Sequence, residues 1–296
     1  MIVTGQRRRV VIVHRRTELD ELIDRHVTRG QVEFFLASRG RSLADVQARH
    51  DSITQVRRHL VSAIPDDWVV AQVEREDLSR FLFAPEDIIV PVGADGLVAN
   101  VAKYLAGQLV IGVDPEPGVN PGVLVRHDSV DALALLADPS QAVVSDLTTV
   151  AVQSDAGQTL VGLNEVFIGH PSHQSARYTL TVPGGDERQS SSGVIVGTGT
   201  GSTGWCASLA HDRSITGLPA PTDPALAWFV REAWPSPATG ASLTAGLLPP
   251  GHTLTVRVES DQLVAFGDGI ESDRLEVSWG QELTVTRGAA PVRLAL

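Results

Sequence analysis

The stretch Ile88-Ile-Val-Pro-Val-Gly-Ala-Asp-Gly-Leu97 decides the fold of the first half of the chain. Its first five residues form a short apolar run that is typical of a buried strand. The two glycines then bracket a tight turn, and a helix is predicted to follow over about Leu97–Leu105. In an open α/β sheet, ligands bind at turns of this kind, which follow the carboxyl end of a strand. We therefore predict a ligand-binding turn at Gly93–Leu97.

On both sides of this turn, strand and helix patterns alternate. Apolar strand patterns occupy Val10–Val13, Trp68–Val73 and Leu109–Val113, and helical periodicity is present over Glu18–Arg29 and Leu43–Ile64. Because continuous apolar strands that alternate with helices are typical of parallel sheets, we predict a parallel sheet with helices on both faces.

After Asp138-Pro139 the pattern changes to short strands separated by Gly, Pro, Ser and Asp, and the only helical pattern is at about Gly204–Ala210. The predicted strands are Ala142–Val144, Thr148–Val152, Val166–Ile168, Tyr178–Val182, Val194–Val196, Thr253–Val258, Leu263–Phe266 and Leu283–Thr286. Several of them alternate at period two, which indicates antiparallel sheets. The sequence thus predicts two domains, residues 1–135 and 136–296, with the last strands as candidates for a return to the first domain.

Composition excludes several classes of function. The 24 basic residues face 35 acidic ones, a net charge of −11, which argues against binding of nucleic acid or an anionic membrane. Lys103 is the only lysine, and no P-loop pattern surrounds it, so P-loop NTPases and protein kinases are excluded. The single cysteine excludes an internal disulfide. We find neither a membrane-spanning apolar run nor a targeting signal, and we expect a cytoplasmic protein.

Asp95 is the first candidate for chemistry, because it lies within the predicted ligand-binding turn. The backbone N–H groups of such a turn favour phosphate, and a carboxylate there repels it at close range. Asp95 therefore suits a hydroxyl, as a general base, or a metal ion. Asp is also a favoured helix N-cap, and the residues of the turn alone favour capping.

A second candidate is the loop Gly197-Thr-Gly-Thr-Gly-Ser-Thr-Gly204, which contains a literal G-x-G-x-x-G. A dehydrogenase fingerprint requires an acid at the end of the next strand, and Asp223 at the right distance lies in a Pro-Thr-Asp-Pro turn. The loop still offers hydroxyls and close backbone approach to a nucleotide, with a flexible turn as the alternative. Ser202 lacks the first glycine of a nucleophile elbow.

Three further groups are weaker candidates. Asn164-Glu165 can hydrogen-bond a base and ribose hydroxyls, although an ordinary turn is the more frequent explanation of such a pair. His170 and His173 have no third ligand nearby, which favours a surface loop over a metal site. Cys206 is best explained as a buried structural thiol.

Together these motifs resemble those of the NAD kinase family. Gly93-Ala-Asp-Gly-Leu97 is similar to its Gly-Gly-Asp-Gly-Thr motif, Leu163-Asn-Glu-Val166 to its Asn-Glu motif, and Thr198-Gly-Thr-Gly-Ser-Thr-Gly-Trp205 to its Thr-Pro-Thr-Gly-Ser-Thr-Ala-Tyr segment. Further segments resemble the mitochondrial-type subgroup in the same order along the chain: Gly112-Val-Asp-Pro-Glu-Pro117, Gly122-Val-Leu124, Asn164-Glu-Val-Phe-Ile-Gly169, Ser191-Ser-Gly193, Phe229-Val-Arg-Glu232 and Phe266-Gly-Asp-Gly269.

The resemblance implies a mixed α/β fold: an N-terminal Rossmann-like α/β domain with a parallel sheet, a C-terminal β-rich, β-sandwich-like domain, and an active site between them. It implies transfer of the γ-phosphoryl group of ATP, with Mg²⁺, to the 2′-hydroxyl of the adenosine ribose of NAD, giving NADP. It also suggests a homodimer.

Site residues follow from the resemblance by motif position. Asp95 is the base oriented on the hydroxyl, Gly93 and Gly96 line the phosphate loop, and Asn164 and Glu165 hold the adenosine portion of NAD. The remaining nucleotide contacts are Lys103 on the helix after the phosphate loop, Asp268, whose role is open, and the loop residues Thr198, Thr200, Gly201, Ser202, Thr203, Gly204 and Trp205. No residue is implied as a metal ligand.

Three positions depart from the family pattern. Ala94 replaces a glycine, Leu97 replaces a threonine hydroxyl, and Asp114 replaces an asparagine. These changes leave two alternatives beside an NAD kinase: a homologue with a shifted phosphoryl acceptor, or a non-catalytic nucleotide-binding regulatory protein.

Overall fold

The computed structural model describes residues 8–119 and 122–296. The expectation that the chain starts without a targeting signal rests partly on residues 1–7, which lie outside the described residues. Two units can be distinguished by their internal contacts. The first combines the described residues of Met1–Val101 and Gln108–Val144 with Arg293–Leu296, and the second combines Ala102–Gly107 with Ser145–Val292.

Strands and helices alternate along the first part of the chain. In chain order they are β1 (Arg9–His14), α1 (Glu18–His26), α2 (Arg29–Ala37), α3 (Leu43–Ala63), β2 (Val69–Glu74), β3 (Ile88–Val92), α4 (Asp95–Ala102), β4 (Leu109–Val110), α5 (Ser129–Ala137) and β5 (Val144–Leu147). The strand order of the sheet is β2-β1-β3-β4-β18-β5, in which β18 is Val292–Ala295. The pairs β1–β2, β1–β3, β3–β4 and β4–β18 are parallel, which confirms the predicted parallel sheet.

The central strands of this sheet have apolar side chains on both faces. Val10–Val13 of β1 are fully buried, as are Ile89 and Val90 of β3, because helices remove both faces from water. A hydrophobic cluster joins these strands to Leu60 of α3 and Leu136 of α5. The sequence pattern follows directly from this two-sided burial.

Two predicted helices differ from the observed ones. The helix predicted over Glu18–Arg29 ends at His26, because Val27 adopts a φ of +67°. A separate helix, α2, begins at Arg29, and the Thr28 hydroxyl caps it by accepting the N–H of Gln31. The predicted helix that carries Lys103 ends at Ala102. Lys103 therefore lies in the turn after α4, and its placement on the helix was wrong.

The remaining strands form two antiparallel six-stranded sheets. They are β6 (Val150–Ser154), β7 (Thr159–Gly162), β8 (Glu165–Gly169), β9 (Ala176–Val182), β10 (Gly185–Ser191), β11 (Gly193–Gly197), β12 (Leu226–Arg231), β13 (Ala245–Leu248), β14 (Leu254–Val258), β15 (Gln262–Gly267), β16 (Leu275–Ser278) and β17 (Glu282–Arg287), with α6 at Trp205–Asp212. One sheet has the order β10-β9-β14-β17-β6-β7 and the other β13-β12-β11-β8-β15-β16. The predicted antiparallel, β-rich character is thereby confirmed.

One hydrophobic cluster contains side chains of both antiparallel sheets, as expected for sheets that pack face to face. In β8, Val166 and Ile168 belong to this cluster, whereas Phe167 belongs to a second cluster with Cys206 of α6. Successive residues of a strand point to opposite faces, so β8 contacts the other sheet on one side and α6 on the other. The residues around Glu165 are thus held between two packed layers.

None of the helices within the described ranges combines the length and the apolar character that crossing a bilayer requires.

Candidate functional site

The carboxylate of Asp95 is held by the backbone of a segment almost thirty residues away. Its Oδ1 accepts the N–H groups of Leu124 at 2.8 Å and Val125 at 3.0 Å, and its Oδ2 accepts the N–H of Val123 at 3.0 Å. Three donors fix the side chain in one orientation and compensate its negative charge. Asp95 is the first residue of α4, but it does not cap this helix, so the capping interpretation was wrong.

Two glycines allow this segment to approach. A Cβ atom on Gly112 would lie 2.2 Å from the carbonyl oxygen of Leu124, and one on Gly122 would lie 2.2 Å from that of Val125. Neither distance is possible for a real side chain. The glycines of the Gly112–Pro117 and Gly122–Leu124 segments are therefore required for the close backbone packing that positions Asp95.

The departures from the family motif are accommodated without strain in the turn. Ala94 is exposed and is absent from the non-glycine residues with positive φ. Leu97 is 6% exposed, and its Cδ2 would lie 3.2 Å from a Cβ on Gly93. The loop thus replaces a hydroxyl with a buried apolar side chain, whereas Gly96 faces open space.

A cavity of about 600 Å³ lies in front of the Gly93-Ala-Asp-Gly turn, within the first unit. It is lined by Arg15, Arg16, Thr17, Glu18, Arg49, Ile53, Val92, Gly93, Ala94, Asp95, Gly96, Asp114, Pro115, Glu116, Gly122 and Val125. Of the residues predicted from the sequence, it brings together Gly93, Asp95 and Gly96. The three arginines of the lining were not among them, because they belong to no motif.

In the second unit, Asp268 clamps the Asn164-Glu165 pair. Its carboxylate accepts the N–H groups of Leu163 at 2.8 Å, Asn164 at 2.7 Å and Glu165 at 3.3 Å, and its own N–H donates to the carbonyl of Glu165. Asp268 reaches this position in a tight turn, with φ values of +52° for Asp268 and +70° for Gly269. The backbone of the pair is fixed on one side by this clamp and on the other by the N–H of Thr198, which donates to the carbonyl of Asn164.

The side chains of Asn164 and Glu165 are left free by this arrangement. Neither has a hydrogen-bond partner among residues 8–119 and 122–296. Burial raises the pKa of Glu165 to about 7, and the charge of Asp268 acts in the same direction. Burial likewise raises the pKa of Asp268 to about 6, although its three N–H donors and the charge of Lys103 oppose this. A half-buried carboxylate without a partner and with a raised pKa is typical of a ligand-binding position.

Lys103 belongs to the same unit and pairs with an acid that the sequence did not single out. Its Nζ lies 3.1 Å from Oδ2 of Asp273, and its side chain is only 2% exposed. Tyr104 donates a hydrogen bond to the same carboxylate oxygen at 2.7 Å. Burial of Asp273 opposes its ionisation, but Tyr104 and Lys103 outweigh it and hold the pKa of Asp273 below its ordinary value.

The hydroxyls of the Gly197–Gly204 loop are engaged mostly within the loop itself. Thr198 is fully buried, donates to the carbonyl of Leu163 and accepts the N–H of Thr200. Ser202 and Thr203 donate to backbone carbonyls one turn earlier. The buried hydroxyl of Thr200 has no partner in the described part of the chain. Most of the loop hydroxyls are thus structural in this arrangement.

The glycines of this loop allow close packing. A Cβ on Gly199 would lie 1.9 Å from the carbonyl oxygen of Ala220, and one on Gly201 would lie 2.2 Å from that of Asn164. After Gly204 the chain enters α6 with Trp205, whose ring stacks on Phe167 at 6.0 Å. The guanidinium of Arg231 lies 5.3 Å from the centre of the Trp205 ring. Trp205 is thus held in place by an aromatic contact with Phe167 and a cation–π contact with Arg231.

The remaining candidates are structural. Cys206 is fully buried, and burial raises its pKa to about 12, with Glu165 acting in the same direction, so the thiol is not a nucleophile at neutral pH. His170 accepts the N–H of Ser172 in a turn. Within the described ranges, no three His, Cys, Asp or Glu side chains converge as a metal-binding group.

Comparison with known proteins agrees with the motifs. No protein-family model matches the chain. The chain is similar to NAD kinase 2, mitochondrial, from Rattus norvegicus, with 23% identity over 252 residues. The match covers 67% of this chain and 59% of the rat protein, so it spans about three fifths of the length of that relative. The similarity supports an NAD kinase-like family for this chain.

Proposed function

We propose that the protein is a phosphotransferase of the NAD kinase type, which transfers the γ-phosphoryl group of ATP to the 2′-hydroxyl of the adenosine ribose of NAD and forms NADP. The similarity to NAD kinase 2 and the ordered motifs support this reaction. The observation that carries the proposal is the geometry of Asp95, a carboxylate fixed by three backbone N–H groups at the wall of a cavity.

An ionised carboxylate has about four acceptor positions. Three of them are filled at Asp95, and the open one is on Oδ2, which receives a single N–H. Oδ2 accepts the proton of the ribose 2′-hydroxyl while the 2′-oxygen of the ribose bonds to the γ-phosphorus of ATP. The bond from that phosphorus to the β–γ bridging oxygen breaks, and ADP leaves. Because the side chain is already held in place, little reorganisation is needed at the moment of reaction.

Recognition of the acceptor is assigned to the second unit. The free amide of Asn164 offers both a donor and an acceptor to the adenosine, and the carboxylate of Glu165 accepts hydrogen bonds from hydroxyls. Trp205, which Phe167 and Arg231 hold in place, borders the base in this proposal. The backbone of Asn164 and Glu165 is held by hydrogen bonds, and the Trp205 ring by ring contacts, that exist without the ligand.

The residues of the cavity fit Mg²⁺. Asp114 and Glu116 provide hard carboxylate oxygens on its wall, and Mg²⁺ in phosphoryl transfer is held by one or two carboxylates together with phosphates and water. Mg²⁺ supplies neutralisation of the charge on the β- and γ-phosphates when it is bound.

The direct test is to incubate the purified protein with ATP, Mg²⁺ and NAD and to measure NADP with an NADP-specific dehydrogenase. Reactions without NAD, and reactions with NADH and free nucleosides in its place, identify the acceptor. Formation of NADP that depends on both ATP and NAD supports the proposal. Absence of any phosphorylated product from all of these acceptors would rule it out.

The buried side chain of Leu97 favours a second function, a nucleotide-binding protein without catalysis. The family motif has a threonine hydroxyl at this position, and the loop here offers none. This alternative predicts that NAD or NADP stabilises the protein without turnover. The free energy of unfolding should rise by about 2.7 kcal/mol at a ligand concentration one hundred times the Kd, and the unfolding temperature should rise with it.

A further inference from the structure

The order of the strands places a ligand crevice between β1 and β3. From β1 the chain passes to β2 on one side, and from β2 it crosses to β3 on the other side. Such a reversal leaves a crevice outside the carboxyl ends of the two strands, where open α/β sheets bind their ligands. The loop that begins at Arg15 follows β1, and the loop that begins at Gly93 follows β3.

Three arginines converge on this crevice from two elements. Arg15 and Arg16 come from the loop after β1, and Arg49 comes from α3. All three line the cavity in front of Asp95, and 63%, 36% and 53% of their side-chain surfaces, respectively, are exposed. They are therefore accessible to a ligand in the cavity.

Arg15 and Arg16 each pair with an exposed carboxylate, which a phosphate group of a ligand can replace. Arg15 lies 3.6 Å from Glu21, and Arg16 contacts Asp24. These two carboxylates are 45% and 60% exposed. An exposed ion pair of this kind contributes only about 0–1 kcal/mol, whereas a guanidinium can bind a phosphate through two parallel hydrogen bonds.

Arg49 is placed differently, because its partner is an acid of the cavity wall. Its Nε is 3.1 Å from Oε1 of Glu116. The hydrogen bond from Arg41 lowers the pKa of Glu18, and the charge of Arg49 acts in the same direction. Arg49 thus already balances negative charge inside the cavity.

The charges of the lining explain why arginines are needed. Three arginines face four carboxylates, those of Glu18, Asp95, Asp114 and Glu116, a local sum of −1. A phosphate chain would be repelled from the acids alone. The arginines supply the positive charge of the lining, two from the loop after β1 and one from α3.

We propose that Arg15, Arg16 and Arg49 bind the chain of phosphates of the phosphoryl donor, and so hold its terminal phosphate toward Asp95. The assignment of the ligand as the donor rests on the proposed function. The shared chemistry is a linear polyphosphate, which is present both in a nucleoside triphosphate and in inorganic polyphosphate. The local sum of −1 further requires that binding be stronger with Mg²⁺ than without it.

The test is calorimetric titration of the full chain with ATP, ADP, AMP and inorganic tripolyphosphate, each with and without Mg²⁺. The variants are Arg15→Gln, Arg16→Gln and Arg49→Gln, which keep most of the side-chain stem. Arg25→Gln is the matched control, since Arg25 is exposed on α1 and does not line the cavity. Circular dichroism establishes that each variant is folded.

We expect ATP to bind more tightly than ADP, and ADP more tightly than AMP. Each cavity variant weakens the binding of ATP by about fivefold to tenfold, and Arg25→Gln changes it less than about twofold. Equal affinities for tripolyphosphate and ATP show that the site binds the phosphate chain from either source, and tighter binding of ATP identifies a nucleotide.

The result that overturns the inference is unchanged affinity for ATP and tripolyphosphate in all three folded variants. Such a result, in a protein that still forms NADP, leaves the proposed function intact. If the arginine variants bind ATP more weakly but the protein phosphorylates no acceptor, the polyphosphate site is supported and the proposed function is ruled out.

Discussion

The carboxylate of Asp268 accepts the backbone N–H of Glu165 at 3.3 Å, and the charges of the two side chains oppose each other. Burial is the largest cause of the raised pKa of both groups, about 7 for Glu165 and about 6 for Asp268. Asp268 is compensated by three N–H groups and by Lys103. Glu165 has no such partner in the described part of the chain, which makes it the less stable of the two charges.

The raised pKa of Glu165 predicts a loss of stability with rising pH. The folded protein binds the proton of the Glu165 carboxyl more tightly than the unfolded chain does. The contribution of this proton to the free energy of unfolding is therefore complete below about pH 4.5 and is lost as the pH rises through about 7. Glu165→Gln removes the effect. Relative to the parent, the variant should be nearly unchanged at pH 4.5 and more stable by about 1–3 kcal/mol at pH 8, as measured by urea unfolding.

Glu282→Gln serves as the control for this measurement, because Glu282 is exposed at the start of β17. As an exposed substitution, it should change the free energy of unfolding by less than about 0.5 kcal/mol. A difference for Glu165→Gln that is the same at pH 4.5 and pH 8 would show that the carboxylate is solvated and titrates normally.

The position of Asp95 predicts that Asp95→Asn separates binding from catalysis. Asparagine keeps one acceptor oxygen for Leu124 and Val125, but its NH₂ group faces the N–H of Val123, so a loss of about 1 kcal/mol in stability is expected. The variant has no base for the hydroxyl proton, and formation of NADP should fall by about a hundredfold or more. Binding of ATP, measured by titration, should remain.

Asp131→Asn, an exposed change on α5, controls for loss of surface charge and should leave the rate unchanged. If Asp95→Asn retains more than about a tenth of the rate, Asp95 has only a structural role in holding the segment at Val123.

Much of the first unit could be predicted from the sequence because its strands are buried on both faces and read as apolar runs. The strand β3 was predicted at its observed bounds, Ile88–Val92. The strand β10 was missed, since its sequence Gly-Asp-Glu-Arg-Gln-Ser-Ser is polar and forms the edge of a sheet. Its position depends on pairing with β9, which no local pattern contains.

The candidate site was predictable only where its residues form motifs. The Asp95 turn and the Asn164-Glu165 pair stand out in the sequence, but the contacts that hold them do not. Asp268 is about a hundred residues from the pair that it clamps. The charge partner of Lys103 is likewise distant along the chain. Contacts of this kind follow from the packing of the sheets, and the spacing of residues along the chain does not reveal them.

The close approach of Gly201 to the backbone of Asn164 can be tested by substitution. A Cβ on Gly201 would lie 2.2 Å from the carbonyl oxygen of Asn164. Gly201→Ala must therefore displace the loop or the pair, and we expect a loss of about 2–3 kcal/mol in the free energy of unfolding, with weaker binding of NAD.

Gly184→Ala is the matched control, because a Cβ on Gly184, in the turn between β9 and β10, meets nothing within 4 Å. It should change stability by less than about 0.5 kcal/mol. Equal stability of the two variants in urea unfolding would mean that the Gly197–Gly204 loop is not packed against Asn164.

The last prediction concerns Lys103, the only lysine of the chain. Its buried ammonium favours the ionised forms of both Asp273 and Asp268. Lys103→Met should therefore raise the pKa of both acids and destabilise the fold most where they are charged. We expect a loss of about 1–3 kcal/mol at pH 8. The part of this loss that involves Asp268 becomes smaller as the pH falls to about 6, whereas the part that involves Asp273 persists at lower pH because the pKa of Asp273 lies below its ordinary value.

Arg274→Met provides the comparison, since Arg274 forms an exposed pair with Glu276 in the same unit. It should cost less than about 1 kcal/mol, with little dependence on pH. The sequence further predicts that replacing Lys103 by alanine weakens nucleotide use more than replacing a surface arginine does. Urea unfolding at pH 5 and pH 8, together with the KM for ATP, separates the two roles: a loss of stability with unchanged KM shows that Lys103 supports the Asp268 clamp and does not contact the nucleotide.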